Sequence, residues 1–374
     1  MRVLLIWSVL FLVIASFGIA AFGQDQSAIS GPILGFIEDP NGASIQPIRG
    51  VLGASVLGQP LALGSEIRNA VISPKQDYAL AVRTDGGEVV LIPLGSDSVN
   101  LNSLSGVHPG ATRIAISPSG TAAAVFGQDR TVQSIRRLPD TPELVFQFDV
   151  SDIPGDLQGL AIADDGTLAV LNFMTPGEAT LWVVSSNGSR WVLPAQRPSA
   201  ATFLTNRHDV VIADDAAQQV FLLSNIDQEA SRFSVASFGD GFEAFSGVAA
   251  SDDGLRVFVI SRKSDTVTLI DLERGLSAPL PCQCQATGFR ALKGSSVFRL
   301  TDMTDSPIAI LDASSTEPRI IVLPITSAAT VPSPEEITQD PMARPVPTPG
   351  RERDPHPPVS TSGKIAVPQQ DRTK

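Results

Sequence analysis

The sequence predicts an all-β fold, a β-propeller of four-stranded antiparallel blades with seven favoured over six, and three observations lead there. A turn-and-strand unit recurs along the chain at blade-sized intervals. Each copy is followed by a second hairpin of strands. The span that holds the copies, Gly31 to Ile325, divides by seven into about 42 residues each, within the roughly 40 to 50 residues that four short strands occupy in a blade.

The clearest copy is SDDGLRVFVISRKSDTVTLIDLERG, Ser251 to Gly275. Its SDDG is a tight-turn signal, because Asp favours the early positions of a type I turn and Gly accepts the positive φ that follows. RVFVI then places β-branched and aromatic residues at consecutive positions, as in a central strand buried on both faces. After the polar break SRKSD, TVTLIDL alternates from Thr266 to Leu269 like a half-buried strand, and ERG turns the chain again. The same grammar opens at Ile72 (ISPKQDYALAV), Ile116 (ISPSGTAAAVF), Ile162 (IADDGTLAVL), Leu204 (LTNRHDVVI) and Ala291 (ALKGSSVFRL). The fourth turn positions are read as Gln76, Gly120, Gly166, His208, Gly254 and Gly294, spaced 44, 46, 42, 46 and 40 residues apart.

Six hairpins complete these copies: EVVLIPLGSDSVNL, TVQSIRRLPDTPELVFQF, TLWVVSSNGSRWVL, QVFLLSNIDQEASRFSV, TVTLIDLERGLSAPL and PIAILDASSTEPRIIVL. A seventh, ILGFIEDPNGASIQPI from Ile33 to Ile48, stands without a turn copy before it and reads as a partial blade. It is expected to be completed by GASVLG and PLALG or by strands from the other end of the chain, closing the ring and removing its open edges.

These residues carry a resemblance. The Ser251 to Gly275 copy resembles the YVTN-type β-propeller repeat, with Ser261 where that family often has Asn. Ser117, Pro118 and Gly120 match three of the four positions of the SPDG turns in Tol-system and lactonase-like propellers. The resemblance covers most of residues 65–325 and implies the fold. It leaves activity open, because propellers host many unrelated functions.

The two ends read differently. MRVLLIWSVLFLVIASFGIAAFGQDQ has one Arg and then an uncharged apolar run from Val3 to Gly23. Residues 1–23 are therefore expected to be an export signal, cut before Gln24 or after Ala20, or else a retained anchor, since the run is long enough to cross a bilayer. No Cys near the cut invites lipid attachment. From Thr326 to Lys374 there are ten prolines in 49 residues without apolar period, a composition that cannot bury enough surface to offset ordering entropy, so residues 326–374 are expected to be a disordered tail. Between them, residues 31–325 have room for one large domain. A formal charge of −12 without a Lys/Arg cluster argues against nucleic acid.

Chemistry is sparse. Cys282 and Cys284, in LPCQCQATG, are the only cysteines. An extended strand holds such positions roughly 6.6 Å apart, at the edge of disulfide reach, so a bond needs a kink, which Pro281 and Gly288 are expected to supply. A disulfide, two free thiols, and a metal or redox pair all remain open. His108, His208 and His356 read as surface or turn residues, with His208 and the CQC segment on opposite rims. No GxSxG, HExxH or Walker loop appears, and nothing asks for a cofactor or a metal. The paired acids of ADDG and SDDG read as turn chemistry, since SPSG and SPKQ stand in the same place.

Loops on the connector rim are where a site is expected. Two long connectors, SDIPGDLQG and SFGDGFEAFSG, combine acid, aromatic and glycine, making Asp152, Asp156, Asp240, Phe242 and Glu243 the candidate binding residues, while Phe242 or Phe245 alternatively packs between blades. The favoured function is a non-enzymatic binding scaffold, monomeric and exported to the periplasm or beyond, whose partner is a protein, a polymer or a small ligand of the cell envelope. The membrane is a partner only if the N-terminal segment is retained. The alternative is a lactonase-like hydrolase or isomerase. The innermost strands read here, AVIS, RIAIS, LAIA, ATFL and VAAS, are nearly devoid of the Glu, Asn, Asp or His such an enzyme brings into its channel.

Overall fold

The structure is a computed structural model and describes residues 31–95, 99–195, 197–237, 244–303 and 307–323. They lie in the first of the two units into which the chain divides, Met1–Ser327. The residues form seven antiparallel sheets with strands hydrogen-bonded in chain order, six of four strands and one of three. No helix occurs among them.

Blade six shows the pattern. Its strands are Phe245–Ala250, Arg256–Ser261, Thr266–Asp271 and Leu276–Pro281. SDDG closes the first turn, with Ser251 N–H donating to Arg256 O at 2.9 Å and Gly254 N–H donating to Ser251 O at 2.8 Å. Gly254 sits at φ +67°, where a side chain would be strained. Burial falls outward: RVFVIS is buried almost throughout, and LSAPLP is largely exposed. A middle strand has a neighbouring blade on each face, which is why its apolar residues run consecutively rather than alternating.

The turn bonds place two copies one residue from where the sequence reading put them. In blade five Leu204 N–H donates to Asp209 O and Arg207 N–H to Leu204 O, so Arg207 rather than His208 is the fourth turn residue. Asn206, the third residue of this turn, is left-handed at φ 55°, one position before the left-handed glycine of the SPSG, ADDG and SDDG copies. In blade seven Leu292 N–H donates to Val297 O, which makes Ser295 rather than Gly294 the fourth residue. Leucine replaces the opening Ser of SPSG in both, and the shifted frame hid this.

Blade one is the three-stranded sheet: Ile33–Glu38, Ile45–Val51 and Ala54–Leu57. GASVLG supplies its third strand. PLALG forms none, although Leu61 N–H donates to Ile45 O at 2.8 Å. Leu34 O accepts from Lys293 N–H in the blade-seven turn, whereas Glu38 reaches Arg290 and Arg299 toward the connector rim. Ile33–Glu38 thus runs opposite to the other innermost strands and has the sense of a second strand. Among the described residues the missing strand of this blade is its first.

The ring closes by packing. Seven apolar clusters occupy the seven faces between successive blades, including Ile37 and Ile48 with Leu292, Ile308 and Ile310 between blades one and seven, and Phe36 and Ile45 with Ala79, Val90 and Ile92 between blades one and two.

Candidate functional site

In blades two to six each innermost strand breaks its ladder at a corresponding place. The register to the second strand shifts between Arg68 and Val71, Ala111 and Arg113, Leu157 and Gly159, Pro198 and Ala200, and Phe245 and Gly247. A bulge adds a residue, bends the strand and re-aims side chains. In blades two to six the bulged residues include Asn69, Thr112, Gln158, Ser199 and Ser246, all polar. Of the Glu, Asn, Asp or His that an enzyme would bring into its channel, the bulges hold only Asn69, which stands just before AVIS. No alternation marks a bulge in sequence.

Several of these residues tie one innermost strand to the next. Arg68 Nη1 donates to Ala111 O at 3.3 Å, Asn69 Nδ2 to Thr112 O at 3.3 Å, and Arg113 Nη1 to Gln158 O. The hairpin of blade one leans in beside them. Asn69 N–H donates to Asn41 O and Ala70 N–H to Gly42 O, an approach so close that a Cβ on Gly42, at φ +63°, would lie 2.2 Å from Ala70 N.

The result is a channel with two chambers. The connector-side chamber, ≈ 650 Å³, is lined among others by Glu38, Asn41, Asn69, Arg113, Arg290 and Asp302. The turn-side chamber, ≈ 340 Å³, is lined by Val248, Ala249 and Ala250 with Lys75, Ser119 and Asp252 near its mouth. The two share Pro74, Ile116, Phe289 and Ala291. Polar groups thus concentrate at the connector end.

Glu38 is the electrostatic centre of the first chamber. Arg299 Nη2 donates to its Oε1 at 2.7 Å and Arg290 Nε to the same oxygen at 3.2 Å, while Arg299 Nη1 reaches Glu38 O at 3.2 Å. Arg299 is 2% exposed, and burial holds its pKa below the usual guanidinium value against the pull of Glu38. Desolvation lowers the Arg113 pKa as well. No carboxylate pairs with Arg113 among the described residues. Burial disfavours the Asp39 carboxylate, but hydrogen bonds from Ala43, Ser44 and Asn41 outweigh it and leave the pKa lowered.

Of the residues expected on the connector rim, Asp152 and Asp156 are among the described residues. Asp152 is exposed in the connector between blades three and four, and Asp156, also exposed, begins the innermost strand Asp156–Ile162. Their connector is pinned by Arg130, which donates to Ile153 O and Gly155 O beneath a contact with the Phe173 ring. Asp240, Phe242 and Glu243 lie outside the described residues. Phe245 is buried between blades five and six.

The turn rim holds what the sequence reading passed over. His208 Nε2 lies 3.0 Å from Asp165 Oδ2 in the neighbouring blade, and Nδ1 lies 3.4 Å from Asp227 Oδ2. Burial opposes its charge, but the two aspartates prevail and the pKa is raised. Asp164 receives Ser119 N–H at 2.7 Å and Asn206 N–H at 2.6 Å, so the ADDG acids stitch three turns together. His108 is exposed, and His356 lies outside the described residues. At the opposite rim Cys282 and Cys284 are joined in a disulfide, with Cα atoms 5.1 Å apart. The kink comes from Gln283, at φ 52°, rather than from Pro281 or Gly288.

No protein-family profile and no curated protein sequence matches the chain. Solved structures do. A functionally unknown protein from Desulfotomaculum acetoxidans aligns with 13% identity and TM-score 0.53 over 79% of this chain and 100% of its own. A Lactobacillus plantarum protein aligns with 12% identity and TM-score 0.51 over 78% of this chain and 96% of its own. A Bacteroides fragilis protein provisionally assigned as a 6-phosphogluconolactonase aligns with 12% identity and TM-score 0.53 over 78% of this chain and 94% of its own. At these identities the likeness concerns architecture alone, and by architecture the chain is a seven-bladed β-propeller.

Proposed function

We propose that the chain is a binding propeller that holds a small hydroxylated organic anion in its connector-side chamber without transforming it. Arg113 carries this reading. Its guanidinium stands on the chamber wall, partly stripped of water, and faces no carboxylate partner among the described residues. Guanidinium presents five donors in a plane suited to a carboxylate or phosphate, and the Arg113 bond to Gln158 O uses only one nitrogen. Arg290, 59% exposed, adds a second cation, and Asn41, Asn69 and Thr112 offer amides and a hydroxyl for the ligand's own hydroxyls. Asp152 and Asp156 stand on the rim above and would screen which anions approach. The apolar run Val3 to Gly23 supports export, and the ligand would then be met outside the cytoplasm.

A second reading is hydrolysis of a sugar lactone. It draws on the carboxylates of Glu38 and Asp302 in the same chamber and on the fold shared with the Bacteroides fragilis protein. Calorimetric titration with gluconate and 6-phosphogluconate, beside a pH-stat assay with the corresponding lactones, separates the two. The binding reading expects saturable binding of an acid, loss of about ten-fold or more in affinity in Arg113→Gln, and lactone opening no faster than in buffer. Unchanged affinity in that variant, or no binding of any acid, refutes it. Accelerated lactone opening moves the assignment to the hydrolase.

A further inference from the structure

Where the chain leaves blade six it gathers groups that the channel does not use. Asp265, in the turn between the second and third strands of that blade, is fixed from both sides: Cys282 N–H donates to Asp265 O at 2.9 Å and Gln285 N–H to Asp265 Oδ1 at 3.0 Å. With Gln283 left-handed between them, Cys282 and Cys284 have their Cα atoms 5.1 Å apart and their sulfurs joined. A carboxylate oxygen and both sulfurs lie within 4.8 Å of one another, the one such trio of His, Cys, Asp or Glu donors among the described residues. Cys282 is 7% exposed and packs with Phe258, Phe298 and Leu311 between blades six and seven. Cys284 borders a cavity of ≈ 410 Å³ together with Gln285, Thr287 and Asp302.

We propose that these three residues are a redox-gated site for a thiophilic divalent cation, zinc being the representative case. In the disulfide the sulfurs carry no charge and have little affinity for metal. A dithiol reductant supplies two electrons and two protons: the bond between Cys282 and Cys284 breaks, each sulfur becomes a thiol, and the reductant's two thiols become a disulfide. The cation then displaces both thiol protons and forms two metal–sulfur bonds of about 2.3 Å, with Asp265 as the third ligand and a water from the cavity as the fourth. Thiolate softness selects zinc over magnesium or calcium. The Gln285 N–H bond to Oδ1 orients the carboxylate as an outer-shell partner does in built metal sites.

The test uses the full chain, reduced with dithiothreitol, desalted without oxygen, and titrated with zinc chloride and separately with cadmium chloride. Expected are one metal per chain by atomic emission, release of two protons, and an ultraviolet thiolate-to-cadmium charge-transfer band, with none of these in the oxidised protein. Asp265→Asn weakens binding about ten-fold or more. Cys282→Ser with Cys284→Ser abolishes it while circular dichroism and melting show the propeller intact. Absence of stoichiometric metal in the reduced protein overturns the site, as does equal uptake by the oxidised protein or by the double serine variant. Unchanged affinity in Asp265→Asn removes the carboxylate from it.

Discussion

At the scale of single residues, charges are treated according to burial. Arg299 is inside the protein, and Glu38, 11% exposed, is its counter-charge. Glu38→Gln leaves a buried cation uncompensated and is expected to cost about 3 kcal/mol by urea unfolding. Arg290→Gln removes a pair whose arginine is mostly in water, and about 0–1 kcal/mol is expected. Glu38→Gln combined with Arg299→Met should recover much of the first loss, since the charge itself is then gone. His208 has the opposite character, a titratable contact near the surface. Its raised pKa means that the folded chain binds the proton more tightly than the unfolded one. That stabilisation is complete below the ordinary histidine value of about 6.5 and is lost as pH rises through the folded value. Unfolding measured near pH 5.5 and pH 8 should differ by about 0.5–1 kcal/mol from this source, the contact being screened by water. His208→Gln should abolish that difference.

At the scale of elements, the turns between first and second strands do more than reverse the chain. Gln76, at φ 61°, spends its side chain across two blades: Nε2 donates to Ala291 O at 2.6 Å, and Oε1 accepts from Phe36 N–H. Gln76→Ala should lower stability by about 1–3 kcal/mol, because it orphans the buried Phe36 N–H and removes the partner of the half-buried Ala291 C=O. Gln76→Gly, which relaxes the backbone, should recover only part of this in the same thermal melts. Turn copies were legible from Asp, Ser, Pro and Gly because turn chemistry is local. The bulges that present Asn69, Thr112 and Gln158 were not, since a bulge is a mismatch between two strands and leaves no mark on either alone. Nor was the Asp165, His208 and Asp227 contact: its members come from two blades, and the frame of the blade-five turn was itself one residue out.

At the scale of the molecule, seven interfaces between blades carry the apolar clusters, and each blade belongs to two of them. Unfolding should therefore be a single transition. A chain ended at Ile325 retains both blade-one interfaces, so its melting midpoint should stay within about 2 °C of the full chain's. A larger drop would show that residues beyond it belong to the ring. The repeat length, the strand-rich runs and the partial blade at Ile33 to Ile48 were determined by the sequence alone, because periodic turns and doubly buried strands are written residue by residue. What closes the circle was decided only in three dimensions: blade one is held by side chains from blade two, its neighbour in sequence, and from blade seven, through contacts between residues more than two hundred positions apart. The channel's charges were decided there too, since Glu38 and Arg299 become partners only when the two ends of the repeat array are brought face to face.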